Sequence, residues 1–564
     1  MSALLHLANA WMPHLLLAPI VLPMLTAALM LLLNEEHQRT KVVLNVASTS
    51  LGLVIAIALF AWSDSQTQAM SVYLVSNWSA PFGIALVLDR LSAMLLLLAS
   101  CVALASCIFA IARWHKAGVH FHPLFQFQLM GLSGAFLTAD LFNLFVFFEI
   151  MLAASYGLLL HGSGRLRVQA GMHYIAINLA ASSLFLLGVS MLYGLTGTLN
   201  MADMARLIPQ VSAADQGLLH AAAGLLAMAF LIKSAVWPLN FWLVPGYSAA
   251  TAPVGALFAL MTKVGIYSVL RLWTLMFSSE AGASAQFGAQ WLIAGGMVTM
   301  VFGSVGMLAA TRLTHLAGYA AILSSGTLLA ATGFGQITLT AGLLYYLPSS
   351  TLAVAILFLL ADAIDRWRND GSSFADWDDE QAPFLSAELI PAQHINLDEN
   401  EQALIGRPIP AATVFLGLAF LLCTLVVAGL PPLSGFLGKF AMLTALLNPL
   451  GLGTDHQPAM PAAGWGLLAL MIGSGLLALI ALTRAGIRLF WASHERSNPE
   501  IRLAEGVPIA ALMGLCIALT VQAQDAMRYT TATASALLQP QGYIQSVLGT
   551  MPVAAPEATP QELP

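Results

Sequence analysis

Long apolar runs recur along the whole chain, and they limit the folds that it can adopt. About fourteen such runs, each of roughly 18 or more residues, lie between short polar breaks. A run of that length crosses the ~30 Å hydrocarbon core of a bilayer as one α-helix, and in lipid only helices and closed barrels satisfy their own backbone groups. The sequence therefore predicts an all-α polytopic membrane protein with about 14 transmembrane helices. The approximate limits of the runs are 13–33, 42–62, 84–112, 122–139, 141–160, 169–194, 217–243, 250–274, 288–310, 312–334, 338–363, 409–448, 464–492 and 504–524.

The composition agrees with this class, since 59% of the residues are hydrophobic and only 9% are charged. Soluble domains contain about 25% charged residues. The first run lacks the basic n-region of a signal peptide and is interpreted as a retained span. The cysteines lie inside apolar runs, where packing explains them better than a disulfide framework or a metal site. They are Cys101, Cys107, Cys423 and Cys516.

Lysine and arginine are distributed unequally between the two sets of loops. If successive spans alternate in direction, fourteen basic residues fall on one side and four on the other. An excess of basic residues marks cytoplasmic loops, so both termini are predicted to lie outside. The richer set is Arg39, Lys41, Arg113, Lys116, Arg165, Arg167, Arg312, Arg366, Arg368, Arg407, Arg484, Arg488, Arg496 and Arg502. The poorer set is Arg90, Arg206, Arg271 and Arg528.

One stretch differs in composition from the rest. Residues 370–401 carry nine acidic residues and no lysine or arginine. A polar stretch without apolar periodicity is typical of a solvated segment. It is predicted to be an acidic cytoplasmic loop, within residues 369–408, that links two helical bundles.

Four charged residues of the apolar runs are interpreted as buried at bilayer depth: Glu149, Lys233, Lys263 and Lys439. Each costs roughly 2.5–3.5 kcal/mol at bilayer depth on insertion scales. A single buried lysine is often a structural ion pair, but one carboxylate neutralises only one of three lysines. The remaining lysines must be hydrated, paired through water or partly deprotonated, and a series of such groups can relay protons. A proton relay is therefore the hypothesis, and structural ion pairs between helices are the alternative.

Prolines predict interruptions in two of the runs. Pro238 and Pro245 follow Lys233, and proline removes a backbone donor from a helix. The run 409–448 would be roughly 60 Å long as a helix, too long for one crossing, so a break is predicted at Pro431 and Pro432. Broken membrane helices are typical of ion sites, and two of them, each bearing a lysine, indicate two related halves of the chain.

The remaining polar candidates are weaker. His315 lies near a span end and is interpreted as interfacial, and Asp89 and Asp140 begin spans as helix caps. No phosphate loop, dinucleotide fingerprint, metal-ligand spacing or nucleophile triad occurs. The sequence thus indicates no cofactor, no metal, no nucleic acid and no chemistry on a substrate, which excludes an enzyme and favours a transporter.

Three stretches carry a family resemblance: "FNLFVFFEIM", "LIKSAVWPLNFWLVPGYSAATAPVGALFALMTKVGIYSVLR" and "GLPPLSGFLGKF". They resemble the proton-channel superfamily shared by respiratory complex I and the multisubunit Mrp cation/proton antiporters. The resemblance implies fourteen helices with two inverted five-helix repeats, helices 4–8 and 9–13, of which helices 7 and 12 are discontinuous. The implied divisions are 1–112 for helices 1–3, 113–275 and 287–492 for the two repeats, and 504–564 for helix 14 and a short tail.

Within that superfamily, residues 238–247, "PLNFWLVPGY", are similar to the D-type subunits of the Mrp (also Pha or Sha) antiporters. The resemblance implies that Glu149 is the helix-5 glutamate, Lys233 its helix-7 partner and Lys263 the central helix-8 lysine. It implies that Lys439 is the distal helix-12 lysine. Relatives often carry a histidine on helix 11, where this chain has Pro348 and Ser349. Hydroxyl groups are therefore expected to contribute, and the possible secondary relay residues are Tyr346, Ser349, His315 and Asp140.

The expected function is a proton-translocating subunit of a multisubunit Na⁺ (or K⁺)/H⁺ antiporter in the bacterial inner membrane. The resemblance implies partner subunits assembled side by side. Two alternatives stay open: a proton-pumping subunit of a redox-driven complex (complex I or a membrane-bound hydrogenase), and a scaffold whose buried charges only set helix packing.

Overall fold

The computed structural model describes residues 14–34, 36–65, 70–116, 118, 120–369, 410–450, 459–491 and 499–553. The acidic stretch predicted at 370–401 lies outside the described residues. Within them, twenty α-helices and one short hairpin form the fold. The first ten helices are α1 (Ala18–Leu32), α2 (Gln38–Ser65), α3 (Arg90–Ile111), α4 (Phe121–Leu137), α5 (Leu141–Leu159), α6 (Arg165–Thr196), α7 (Met201–Leu207), α8 (Gln216–Lys233), α9 (Leu243–Ala249) and α10 (Ala252–Phe258).

The second ten helices complete the bundle. They are α11 (Met261–Met276), α12 (Ala289–Ala309), α13 (Leu313–Thr332), α14 (Ile337–Asn369), α15 (Ala411–Ala428), α16 (Ser434–Leu447), α17 (Ala462–Gly486), α18 (Leu503–Val521), α19 (Ala523–Leu538) and α20 (Gln541–Gly549). The hairpin pairs β1 (Ser71–Leu74) with β2 (Ala85–Leu88) in antiparallel register, with Ser71 opposite Leu88.

Among the described residues, twelve helical segments are long and apolar enough to cross a membrane, with α10 and α11 counted as one. The predicted all-α polytopic class is therefore confirmed. The predicted count of fourteen also needs α1, which is shorter, and α4, which carries the buried polar residues His122, Gln126 and Gln128. That count and the inverted repeats remain predictions.

The core of the bundle lies around α14 and the α10–α11 segment. Both are almost entirely buried within the chain, whereas α2 and α18 expose most of their apolar surface. A helix that is apolar on all sides and buried only on one must place its other face against lipid or another protein. The central helices thus position the buried charges, and the outer helices form the membrane-facing wall.

Helix α8 ends at Lys233, and α9 begins only at Leu243. Pro238 lies in this interruption, as predicted from its missing backbone donor. Pro245 does not interrupt the helix, which corrects the sequence-based expectation: it is the third residue of α9. Proline is tolerated in the first turn because the backbone N–H there has no partner within the helix. An additional short break, between Phe258 and Met261, was not predicted.

A second interruption separates α15 from α16. Pro431 and Pro432 lie between the two half-helices. Gly429 ends α15 in the left-handed region, with φ of 77°. A Cβ at this glycine would lie 2.5 Å from Cδ of Lys439, so the close approach of that lysine also requires glycine.

The tail after α18 forms two further helices, for which no structure was predicted from the sequence. They pack back onto the bundle. The Tyr529 hydroxyl donates to the carbonyl oxygen of Arg90 at 2.7 Å, and the Tyr543 ring centroid lies 5.2 Å from Cζ of Arg271. Tyr529, Ala534 and Leu537 are buried, so the tail is amphipathic and held by its apolar face.

Candidate functional site

Glu149 lies on α5, on the stripe of that helix that points away from the bundle. Phe142, Val146 and Ala153 are exposed on the same stripe, and Glu149 itself is half-buried. The Ser182 hydroxyl of α6 donates a hydrogen bond to Oε1 of Glu149. The carboxylate therefore has one internal donor and stands at the flank of the chain.

Lys233 is the last residue of the half-helix α8 and is 8% exposed. Its Nζ lies 5.1 Å from the ring centroid of Phe148, a cation–π contact. A cation at a helix C-terminus is also favoured by the unpaired carbonyl groups there. Lys233 lines a cavity of about 20 Å³ together with Tyr174, Asn178 and Met261, which is large enough for one water molecule.

Glu149 and Lys233 do not form the direct ion pair that was expected from the sequence. No salt bridge joins these two described residues, although the carboxylate is near enough to act electrostatically on the lysine. The Phe148 ring occupies the position beside Nζ instead. Glu149 follows Phe148 by one residue, and adjacent residues point in directions about 100° apart on a helix. This is why the side chains of Phe148 and Glu149 reach different surroundings.

Lys263 lies on α11 and is 1% exposed. Its Nζ donates to Oγ of Ser324 on α13 at 2.8 Å. Ser324 in turn donates to Oγ of Ser350 on α14 at 2.9 Å. The central lysine therefore has a hydroxyl partner on a neighbouring helix.

Lys439 lies on the half-helix α16 and is 6% exposed. Its Nζ donates to the carbonyl oxygens of Val427 and Ala428, both at 3.0 Å. These carbonyls end α15 and have no i+4 donor because the helix stops at Gly429. The ammonium group of Lys439 therefore caps the half-helix that precedes its own.

Two of the predicted secondary residues lie between the lysines of α11 and α16. Oγ of Ser349 is 2.8 Å from Oγ of Ser434, the first residue of α16. Tyr346 is 3% exposed, and its hydroxyl lies beside the hydroxyls of Thr327 and Ser324. Both residues are on α14, one turn apart, and their side chains contact α16 and α13.

The other two predicted secondary residues lie at helix ends. His315 is partly exposed in the first turn of α13, about 13 Å of helix before Ser324. Asp140 caps α5 by accepting a hydrogen bond from the backbone N–H of Asn143 at 2.8 Å. Burial raises the pKa of Asp140, and the amides of Asn143 and Phe142 oppose that rise. The structure brings neither residue into the serine contacts between the lysines.

The structure contains a buried ion pair that the sequence does not predict. The charge distribution assigns Arg271, one of its two members, to a loop. Arg271 is 5% exposed within α11 and binds the Asp89 carboxylate through both terminal nitrogens, at 2.7 and 2.8 Å. Burial alone would raise the pKa of Asp89, but the Arg271 guanidinium and the Ser92 amide hold it below its ordinary value. Asp89 also caps α3, as predicted.

Lys41 is a second basic residue that the charge distribution assigns to a loop. In the structure it lies on α2 and is 2% exposed.

The arrangement as a whole is suited to moving protons. The buried lysines of α8, α11 and α16, the carboxylate of Glu149 and the hydroxyl groups can accept and release protons, and the cavity beside Lys233 has room for a water molecule. Within the described residues, no three His, Cys, Asp or Glu side chains come together as metal ligands. The site therefore offers proton-transfer groups held between helices that are themselves interrupted.

Comparisons with known proteins agree with this geometry. Residues 138–379 match the family described as NADH:quinone oxidoreductase/Mrp antiporter, transmembrane. The D subunit of a probable K(+)/H(+) antiporter from Rhizobium meliloti is 48% identical over 541 residues, 95% of this chain and 98% of the relative. The D subunit of the Na(+)/H(+) antiporter from Alkalihalophilus pseudofirmus is 31% identical over 544 residues, 95% of this chain and 100% of the relative.

A solved structure shares the fold. One chain of the Mrp complex from Dietzia sp. DQ12-45-1b superimposes with a TM-score of 0.78 at 24% identity, covering 95% of this chain and 99% of that chain. The fold thus defines the class, a polytopic helical membrane protein. The chain belongs to the NADH:quinone oxidoreductase/Mrp antiporter family, among the relatives named as D-type antiporter subunits.

Proposed function

We propose that the chain is the proton-translocating membrane subunit of a multisubunit Na⁺ (or K⁺)/H⁺ antiporter. The observation that carries this proposal is the set of nearly fully buried lysines on α8, α11 and α16, in the same bundle as the half-buried carboxylate of Glu149. Charges at bilayer depth are costly, and proton pathways are one of the few uses that retain them. The relatives named as D-type subunits of K(+)/H(+) and Na(+)/H(+) antiporters support the same function.

In this proposal, protons move laterally from Glu149 through Lys233 and Lys263 to Lys439. The water-sized cavity beside Lys233 also touches Met261, two residues before Lys263, and supports the first part of the route. The hydroxyl contacts of Lys263 support the second part. Each lysine passes a proton on when its neighbour is neutral, so the charge moves stepwise along the bundle.

The position of Glu149 supports partner subunits on that flank. An ionisable group on an otherwise apolar, outward-facing helix stripe is costly against lipid. We infer that another subunit of the complex covers α5, and that Glu149 couples the two subunits. We infer a location in the bacterial plasma membrane, and the unequal distribution of basic residues favours an orientation with both termini outside.

Cation-driven proton exchange in everted vesicles tests the proposal. The full set of antiporter subunits is expressed in an antiporter-deficient host with Glu149→Gln or Lys233→Ala, and assembly is checked by native gel. We expect both variants to assemble and to lose exchange by roughly 100-fold, the lower range for removing a proton-transfer group. Addition of Na⁺ or K⁺ in separate assays identifies the cation.

Lys116→Ala is the matched control, because Lys116 is an exposed lysine outside the buried set. It should retain native exchange. Native exchange in both assembled test variants would contradict the proposal and favour the alternative in which the buried charges only set helix packing.

A further inference from the structure

We propose that buried serine hydroxyls carry the proton between the central lysine and the distal lysine. The serines lie on three helices and form two contacting pairs. They are Ser324, Ser350, Ser349 and Ser434. This inference rests on the proposed function, since it specifies the route between Lys263 and Lys439.

The helix that separates the two lysines lacks the usual proton-transfer residues. Between Ile337 and Ala361, α14 contains no histidine, lysine, aspartate or glutamate. It does contain a run of hydroxyl-bearing residues, Ser349, Ser350 and Thr351, together with tyrosines one turn earlier. Any proton that crosses α14 must therefore pass through hydroxyl groups or water.

The first pair continues directly from Lys263. The lysine donates to Ser324 at 2.8 Å, and Ser324 donates to Ser350 at 2.9 Å. Ser324 is 1% and Ser350 5% exposed, so bulk water does not compete for these contacts. A continuous series of hydrogen bonds thus joins α11, α13 and α14. In each bond the donor is the residue nearer to Lys263.

The series ends at a backbone group. Ser350 donates to the carbonyl oxygen of Leu347 at 3.1 Å, and a carbonyl accepts a hydrogen bond but has no proton to pass on. A serine hydroxyl rotates about its Cβ–Oγ bond and can turn to another acceptor. Rotation of Ser350 therefore opens and closes the series without any movement of the backbone.

The second pair begins on the adjacent residue. Ser349 and Ser434 are both fully buried, and their hydroxyl oxygens are 2.8 Å apart. Ser434 is the first residue of α16, and Lys439 follows about 7.5 Å further along the helix axis. The second pair therefore connects α14 to the half-helix that carries the distal lysine.

The proposed transfer conserves protons at every step. The ammonium of Lys263 gives a proton to Ser324 while Ser324 gives its own proton to Ser350. One water molecule takes the proton of Ser350 and gives one to the Ser349–Ser434 pair, which delivers a proton to the neutral amine of Lys439. Each serine gains and loses one proton, so the only net change is a charge moved from Lys263 to Lys439.

The test uses exchange by the complete antiporter complex in everted vesicles. Ser324→Ala and Ser350→Ala should each lower the exchange rate at least about tenfold, which is 1.36 kcal/mol on the barrier. Ser324→Thr keeps a hydroxyl and should restore most of the rate. Ser325→Ala is the matched control, because Ser325 is the next residue, is fully buried and has no hydrogen-bond partner among the described residues.

A second variant separates loss of the hydroxyl from loss of assembly. Ser324→Cys is close in size but has only a weak donor, so it should assemble and still exchange slowly. Native rates in the assembled Ser324→Ala and Ser350→Ala complexes, with exchange lost in Lys263→Ala, would overturn the hydroxyl route and leave the proposed function intact. Native rates in Lys263→Ala as well would overturn the proposed function itself.

Discussion

Each of the three lysines in the proposed route is held by a different kind of neighbour. Lys233 faces the Phe148 ring, Lys263 a serine hydroxyl, and Lys439 two backbone carbonyls. Of these, the two carbonyls at a helix C-terminus stabilise an ammonium most strongly, because they only accept hydrogen bonds and carry the negative end of the helix dipole. The charge should therefore rest most often on Lys439, at the far end of the proposed route.

The Asp89–Arg271 pair makes stability depend on pH. The pKa of Asp89 lies below its ordinary value of 3.8 in the folded protein, so its contribution is present above about pH 4 and is lost as the pH falls below that value. Asp89→Asn leaves Arg271 buried without a counter-charge, at a cost of about 3–5 kcal/mol. We expect the variant to have a lower Tm in detergent at pH 7.

The comparison across pH is the sharper part of this prediction. The Tm difference between the native protein and Asp89→Asn should shrink as the pH falls from about 4 through the lowered pKa of Asp89, because protonation first favours the unfolded chain and then neutralises the folded carboxyl. A difference that stays constant from pH 7 to that range would show that the ion pair does not supply this stability.

At the scale of elements, hydrogen bonds between side chains join α2 to α4. Gln126 on α4 donates to Oδ1 of Asn45 at 2.6 Å and to Oγ1 of Thr49 at 3.0 Å. Asn45 also contacts Nδ1 of His122 at 2.8 Å. These residues are buried, so the contacts fix how α2 packs on α4.

Two glutamines of α4 form a matched pair for a stability test. Gln126→Leu should destabilise the protein by about 1–3 kcal/mol, because it removes the donor to Oδ1 of Asn45 and to Oγ1 of Thr49, which are both buried. Gln128 is also fully buried, but neither atom of its amide has a partner among the described residues. Gln128→Leu should therefore be neutral or stabilising.

Thermal unfolding of the two variants in detergent measures this difference. The expected order of Tm is Gln128→Leu at or above native, and Gln126→Leu below it. Equal losses in both variants would mean that glutamine volume, and not hydrogen bonding, matters at this interface.

The sequence was sufficient for some features and insufficient for others. Apolar length alone located the spans, and Glu149 and the three lysines stood out because charges in such runs are rare. Arg271 and Lys41 were misplaced because a charge near a span end is either hydrated or buried with a partner. The partner of Arg271 is Asp89, 182 residues away, and no local pattern reveals it.

The sequence alone also does not predict the serine pairs or the helices of the tail. Serines are common in membrane helices, and only the packing of α13, α14 and α16 shows which of them touch. The tail helices could have been recognised from the spacing of Tyr529, Thr533 and Leu537, which are buried on one face. The position of Pro245 depended on where α9 begins, and boundaries are the least certain part of a sequence-based assignment.

At the scale of the whole molecule, the proposed route is a single lateral path with Lys263 at its centre. Lys263 is the most buried of the three lysines, and it donates to the hydroxyl of Ser324, the first serine of the proposed path towards Lys439. A route made of consecutive steps stops when any one step is removed. This property distinguishes a single relay from several independent buried charges.

The most direct measurement is therefore cation-driven proton exchange by the assembled complex carrying Lys263→Met, beside the native complex and Lys116→Ala. A single relay predicts a loss of roughly 100-fold or more for Lys263→Met, and native exchange for the control. Exchange at the native rate in an assembled Lys263→Met complex would contradict the single relay, because protons would then bypass the centre of the proposed route.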